Sequence, residues 1–89
     1  MNRERRNRID KAIEKIEQLY DILQDLQDAV EEIQNEEQEY LENMPENLQG
    51  SERYETAESA VENLQNAVDW FDSVDTDELV SFLEEAKGN

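Results

Sequence analysis

The 89-residue chain contains no cysteine and no histidine, and only two glycines and one proline. Without cysteine it can form no disulfide, thiolate nucleophile or soft metal site, which fits a reducing cytoplasm. Without histidine it lacks the commonest general base and the commonest transition-metal ligand. Because glycine and proline are so scarce, the composition favours long helices over sheets and turn-rich folds.

Long apolar runs are also missing, since no uninterrupted run exceeds two residues. We therefore expect neither a membrane span nor a signal peptide. A net charge of −17 and a mean hydropathy of −1.03 are typical of disordered segments. The apolar residues are nevertheless spaced periodically, so we predict one folded domain over residues 1–89. A chain this short has a thin core without a buried catalytic cavity. We accordingly predict a non-enzyme with no cofactor and no metal site.

The first half of the chain carries a heptad repeat, which we write abcdefg. Its a positions are Ile9, Ile16, Leu23 and Val30, and its d positions are Ala12, Leu19, Leu26, Ile33 and Tyr40. An ordinary amphipathic helix drifts by ~20° per heptad from so strict a spacing. The repeat predicts one helix over residues 3–42 with coiled-coil-like packing. Its core or dimer seam is expected to contain Ile9, Ile16, Leu19, Leu23, Leu26, Val30 and Ile33.

Residues 43–50 are predicted to form a connector, because Pro45 disfavours helical geometry at Met44. Ser51 is a suitable N-cap for a second helix over residues 52–74. Asp75 precedes Glu78 at capping-box spacing and begins a short third helix over residues 76–87. Gly88 is a natural helix stop.

The predicted fold class is all-α: a long helical hairpin with a short third helix. The third helix either continues along the first helix near residues 5–16 or folds back as another layer. In both arrangements one side of the apolar stripe stays open. We therefore expect a homodimer in which two hairpins form a four-helix-like bundle.

Charge is strongly segregated along the chain. Residues 1–15 hold six of the eight basic residues, for which we expect ion pairs with the third helix or with a partner subunit. Residues 17–42 hold ten acids, about one per ~4 Å of helix, close to the ~3.4 Å charge spacing of one DNA strand. Lysine partners at i,i+4, which ordinary solvated helices use, are almost absent. This acidity either keeps the protein soluble or forms a face that binds a basic protein.

The predicted partner-binding residues are eight acids and one tryptophan: Asp25, Asp28, Glu32, Glu36, Glu39, Glu58, Glu62, Asp69 and Trp70. For Trp70 two interpretations are open. It packs beneath the third helix against Leu79 and Phe82, or it is an exposed aromatic anchor within an acidic patch. Direct nucleic-acid binding by the basic segment is disfavoured, because phosphates repel a chain of this net charge.

The segment Glu36-Glu37-Gln38-Glu39-Tyr40, the connector Met44-Pro45-Glu46-Asn47-Leu48-Gln49 and the stretch from Ser51 to Val61 carry a resemblance. They resemble small acidic helical proteins of phages and mobile elements of Gram-positive bacteria. By size and charge the chain is also similar to phage inhibitors of CRISPR and restriction nucleases. The resemblance implies a location in the host bacterial cytoplasm. The similarity in size and charge to phage inhibitors implies an inhibitor whose carboxylates stand in for DNA phosphates on a basic nucleic-acid-binding protein. The alternative is a structural coiled-coil adaptor that acts through its apolar seam.

Overall fold

A computed structural model describes residues 1–88, and its regular elements are all helical. Helix α1 spans Arg3–Glu42, a 3-10 helix spans Glu46–Leu48, α2 spans Glu52–Asp72 and α3 spans Thr76–Ala86. Residues 1–88 contain no strand, so the all-α class is confirmed. Helix α2 ends two residues earlier than predicted, and α3 ends one residue earlier. Within the same residues, no helix combines the length and apolar character needed to cross a membrane.

The helix boundaries follow from local capping, as the sequence predicts. The Ser51 Oγ accepts a hydrogen bond from the backbone N–H of Tyr54 (3.3 Å), and the Asp75 Oδ1 accepts one from that of Glu78 (2.9 Å). Each bond satisfies a donor that the first turn of a helix leaves without an intrahelical partner. At the other end of α3, Gly88 adopts a positive φ of 83°, which side-chain-bearing residues rarely adopt.

The chain divides into two compact units. The first part of α1 belongs to one unit and the second part belongs to the other. The terminal unit comprises Met1–Asp25 and the chain from Val74 onward, and the hairpin unit comprises Leu26–Ser73. In the terminal unit the Lys87 Nζ lies 2.6 Å from the Asp10 Oδ1, while Thr76 lines a depression shared with Ile16. Helix α3 therefore runs antiparallel along the first part of α1, which is the first of the two expected arrangements.

In the hairpin unit, α2 returns antiparallel along the second part of α1. The Gln27 side-chain amide donates to the Val68 carbonyl (3.2 Å) and to the Asp72 carboxylate (3.0 Å). Halfway along, the Gln34 amide donates to the Gln65 amide oxygen. The helical hairpin that the short connector predicts is thus present in this unit.

The best-buried apolar cluster lies at the connector end of the hairpin unit. Leu41, Met44 and Ala57 form it, and the partly buried Leu48, Tyr54 and Val61 pack against it. Met44 and Leu48 of the connector therefore pack onto the helix ends. Among residues 1–88 the buried apolar set has two further members, Ile13 in the terminal unit and Val68 in the hairpin unit, and no side chain falls below 2% exposure. Each unit thus has a thin core.

The buried stripe of α1 differs from the predicted a and d seam. The a residues Ile9, Ile16, Leu23 and Val30 are partly buried, whereas the d residues Leu19, Leu26, Ile33 and Tyr40 are exposed. In the hairpin unit, a and e positions face α2: Leu41 is buried at e, and the e-position glutamines Gln27 and Gln34 bond to α2. A single neighbouring helix covers only part of a wide stripe, so the d side remains in solvent.

Candidate protein-binding faces of the hairpin unit

The hairpin unit has two flanks beside its helix–helix seam, and their chemistry differs. Along α2 the seam contains Ala57, Leu64 and Phe71 at a, and Tyr54, Val61 and Val68 at e. At 3.6 residues per turn, the d and g positions of each helix lie on one flank of such a seam. The b and f positions lie on the opposite flank, and c points away from the neighbouring helix. Because the helices are antiparallel, the same letters from both helices share a flank.

The d flank, which we call the apolar face, carries three large exposed side chains from α1. Leu26, Ile33 and Tyr40 are 49%, 51% and 47% exposed. Tyr40 lines a surface depression together with Arg53 and Thr56 of α2. This shared depression fixes which side of α2 joins the face. Single exposed apolar residues are common, but three at heptad spacing on one side are typical of an interaction surface.

Helix α2 contributes small residues to the apolar face. Arg53 is followed at seven-residue intervals by Ala60 and Ala67, which are partly buried. The two alanines place a low surface beside the ridge made by the large side chains of α1. Across d and g of the hairpin unit, the charged residues are Glu36 and Arg53 alone. The face is therefore almost uncharged, although 37% of the chain is charged.

Trp70 lies at the edge of the apolar face, at a g position of α2. It is 58% exposed, and its ring meets that of Phe71 edge to face with centroids 5.3 Å apart. The interpretation that buries Trp70 is wrong, because more than half of the residue is exposed. The alternative of an exposed aromatic side chain is confirmed. Its nearest flank is apolar, however, because Asp69 and Asp72 occupy the f and b positions.

The b and f flank, which we call the acidic face, carries eight carboxylates and no basic residue. It contains Asp28, Glu31, Glu42, Glu55, Glu58, Glu62, Asp69 and Asp72, all of them exposed. Glu42 accepts a hydrogen bond from the Gln38 amide of its own helix (3.0 Å). Two acids of α2 also accept from glutamine amides: Gln65 donates to Asp69 (2.8 Å), and Gln27 donates to Asp72 (3.0 Å). These neutral donors orient the three carboxylates without cancelling their charge.

The eight predicted contact acids are all exposed, but they do not form one surface. Asp28, Glu58, Glu62 and Asp69 share the acidic face. Glu32 and Glu39 occupy c positions and point away from α2, while Glu36 borders the apolar face. Asp25 belongs to the terminal unit. Charge density counted along the axis of α1 therefore overstates the density on any one face, because the helix distributes its acids around its circumference.

Four acids of this face were missing from the predicted partner-binding set: Glu31, Glu42, Glu55 and Asp72. The b and f periodicity of the acids in α2 could have identified Glu55 and Asp72. Glu31 and Glu42 needed the observed α1–α2 seam, because an a and d seam places positions b and f differently from the observed a and e seam. The glutamine bonds to α2 belong to this seam, and the heptad pattern does not predict their partners.

Almost none of the acidity is neutralised within the chain. The hairpin unit has fourteen acids against Arg53, a net charge of −13. Both ion pairs found in residues 1–88 belong to Lys87, which contacts Asp10 and Glu84 in the terminal unit. The hydrogen bond that the Lys87 ammonium donates to the Asp10 carboxylate is the main cause that raises the Lys87 pKa. The expected pairing of the basic N-terminal residues with the acids of α3 is absent from the described chain, where the interhelical pair instead joins an acid of α1 to a lysine after α3.

Within residues 1–88 there is no group of three or more carboxylate side chains placed to hold one metal ion. The two faces are thus the features of the hairpin unit with the clearest chemical character. Comparison of the chain with protein-family models, with curated proteins and with solved structures gives no match.

Proposed function

We propose that the protein is an inhibitor that binds a basic nucleic-acid-binding protein through the acidic face of the hairpin unit. The observation that carries the proposal is the face itself, eight exposed carboxylates on one flank without a basic residue among them. A fixed row of negative charge attracts a basic cleft and speeds association with it. Following the resemblance, the partner class is a host defence nuclease of the CRISPR or restriction type.

The spacing of the acids suits a helix that occupies a basic groove better than it suits an accurate copy of the phosphates of a DNA strand. Along α2 the successive acids of the face are separated by ~4.5 to ~10 Å of helix axis, whereas phosphates of one strand rise by ~3.4 Å. Gln65 fills the widest gap and donates its amide hydrogen to Asp69. The carboxylates therefore reproduce the sign and the linear order of a phosphate row at lower density.

The test is capture of partners from bacterial lysate by the immobilised chain, followed by assay of each captured protein for DNA binding. The informative variant removes three charges from the face: Glu58→Gln, Glu62→Gln and Asp69→Asn. We expect it to lower affinity for the captured partner by more than ~10-fold. The wild-type interaction should weaken steeply with added salt.

A matched control removes the same number of charges at exposed c positions, away from the face: Glu32→Gln, Glu39→Gln and Glu52→Gln. It should retain affinity within ~3-fold, since long-range attraction falls equally but no contact is lost. Equal losses in both triple variants, or an interaction insensitive to salt, would refute the acidic face as the binding surface.

A second candidate function is a structural adaptor, and the apolar face favours it. Leu26, Ile33 and Tyr40 are exposed at heptad spacing, which is how one helix presents itself to another. In that case replacing Leu26 by a charged residue abolishes the interaction with the captured partner, while the triple variants of acids leave it intact.

A further inference from the structure

We infer that the apolar face of the hairpin unit is covered by a second copy of the same face, in a two-fold dimer. The two-fold axis runs parallel to the helices and lies between the two apolar faces. It therefore places α1 of each copy over α2 of the other copy. The inference stands apart from the proposed function, because it uses the opposite flank.

Shape is the first argument for a second copy. One half of the apolar face is a ridge, made by Leu26, Ile33 and Tyr40, and the other half is low, with Ala60 and Ala67. A two-fold interface brings the same patch together from both subunits, so the patch must complement itself. The proposed axis places each ridge of large side chains over the alanines of the other copy, and small residues permit close helix approach.

Charge is the second argument. The hairpin unit has a net charge of −13, so two copies repel each other through most of their surfaces. The apolar face is where this repulsion is weakest, because it carries Glu36 and Arg53, one charge of each sign. In the proposed arrangement Arg53 lies beside the second copy's α1 near its Tyr40. In that position Arg53 is close to acidic residues of the second copy and not to another basic residue.

Exposure is the third argument. The apolar side chains Leu26, Ile33 and Tyr40 are 49%, 51% and 47% exposed, and Trp70 at the edge of the face is 58% exposed. A second copy on the apolar face would remove these side chains from water, which favours association in proportion to the apolar area buried. It would also complete the thin core of the hairpin unit.

The interface of the proposed dimer does not contain the whole core or dimer seam that the heptad repeat predicts. The a positions Leu23 and Val30 are partly buried in the single chain. The exposed d positions of α1 are the ones that the second copy would cover. Trp70, at the edge of the face, would come to lie over the partner's Leu26 and lose contact with water.

The first test is sedimentation equilibrium of the full chain, with Ile33→Gln as the variant and Asn35→Gln as its control. Both positions are exposed in the single chain, both changes are neutral, and glutamine suits a helix better than either original residue. We expect dimers for wild type and for Asn35→Gln, and a dissociation constant raised at least ~10-fold for Ile33→Gln. A wild-type chain that stays monomeric at submillimolar concentration overturns the inference, as does an equal effect of both substitutions.

The second test fixes the arrangement, and it uses the absence of native cysteine. An Ile33→Cys chain and an Ala67→Cys chain are mixed and oxidised. The proposed axis predicts a disulfide between the two different chains, because Ile33 of one copy lies over Ala67 of the other. A predominant disulfide between two Ile33→Cys chains would place α1 on α1 and refute this arrangement. Dilution of wild type should shift the Trp70 emission to longer wavelength, whereas Ile33→Gln should show no such shift.

Discussion

Replacement of Leu41 by alanine tests whether the cluster beside the connector holds the hairpin unit together. Leu41 is 8% exposed and packs with Met44 and Ala57. Truncation of a buried leucine costs ~2–5 kcal/mol, the larger values belonging to sites that cannot relax. Because Leu48 and the 3-10 helix next to the cluster lie near the surface and can shift inward, we expect ~2–3 kcal/mol.

The measurement is urea and thermal unfolding, followed by circular dichroism at 222 nm. For a domain of 60–100 residues, each kcal/mol lowers Tm by about 4–8 °C, so the expected decrease is ~10–20 °C. The urea slope should stay unchanged, since Leu41→Ala leaves the area exposed on unfolding nearly the same. A free-energy loss below ~1 kcal/mol would refute the cluster as the main source of stability, because it would equal that of an average substitution.

Leu26→Ala is the matched control, since it makes the same chemical change on the same helix at a side chain 49% exposed. In dilute monomer it should cost less than half as much as Leu41→Ala, because only the buried part of a side chain contributes transfer free energy. If the apolar face is covered by a second copy, the cost of Leu26→Ala should grow with protein concentration, and that of Leu41→Ala should not.

Three further outcomes are expected. Ser51→Ala should destabilise α2 by ~1 kcal/mol in urea unfolding, because the hydroxyl that caps the Tyr54 N–H is lost, whereas Ser51→Asp should not. Ala57→Leu should destabilise by ~1–3 kcal/mol in the same assay, since Ala57 is 3% exposed and added methylenes overpack the cluster. The Lys87 pKa is raised by its hydrogen bond with Asp10, so the pair stabilises the folded chain below the unfolded lysine pKa and stops doing so as pH rises through the folded value. NMR titration should therefore give Lys87 a midpoint above its usual value, and Asp10→Asn should lower it.

The helices could be predicted from sequence because their determinants are local. The heptad spacing and Pro45 define the extent of α1, while Ser51 and Asp75 supply a side-chain oxygen where α2 and α3 begin. Caps act over three residues and leave a pattern in the sequence. The end of α2 was harder to place, since Ser73 and Val74 offer no comparable stop signal.

The seam of the hairpin unit could not be predicted, because it depends on pairing between residues distant in sequence. Leu26 and Leu23 are equally apolar, yet one is exposed and the other partly buried. What separates them is which side of α1 packs against α2, and Gln27 and Gln34 bond to α2 on that side. Polar e positions look like solvent positions in a heptad pattern. An a and d seam was therefore the natural prediction, and it misplaced both the apolar face and the acidic face.

Segregation of the two faces gives a reason to expect both of the proposed interactions in one protein. If the apolar faces pair, the acidic faces turn outward on opposite sides of the dimer. Each copy then presents its own row of carboxylates, and neither row is used for assembly. Two identical faces on one particle can engage a dimeric or repetitive basic target with an avidity beyond that of a single face. Ile33→Gln should then weaken capture of such a target while leaving capture of a monomeric one unchanged.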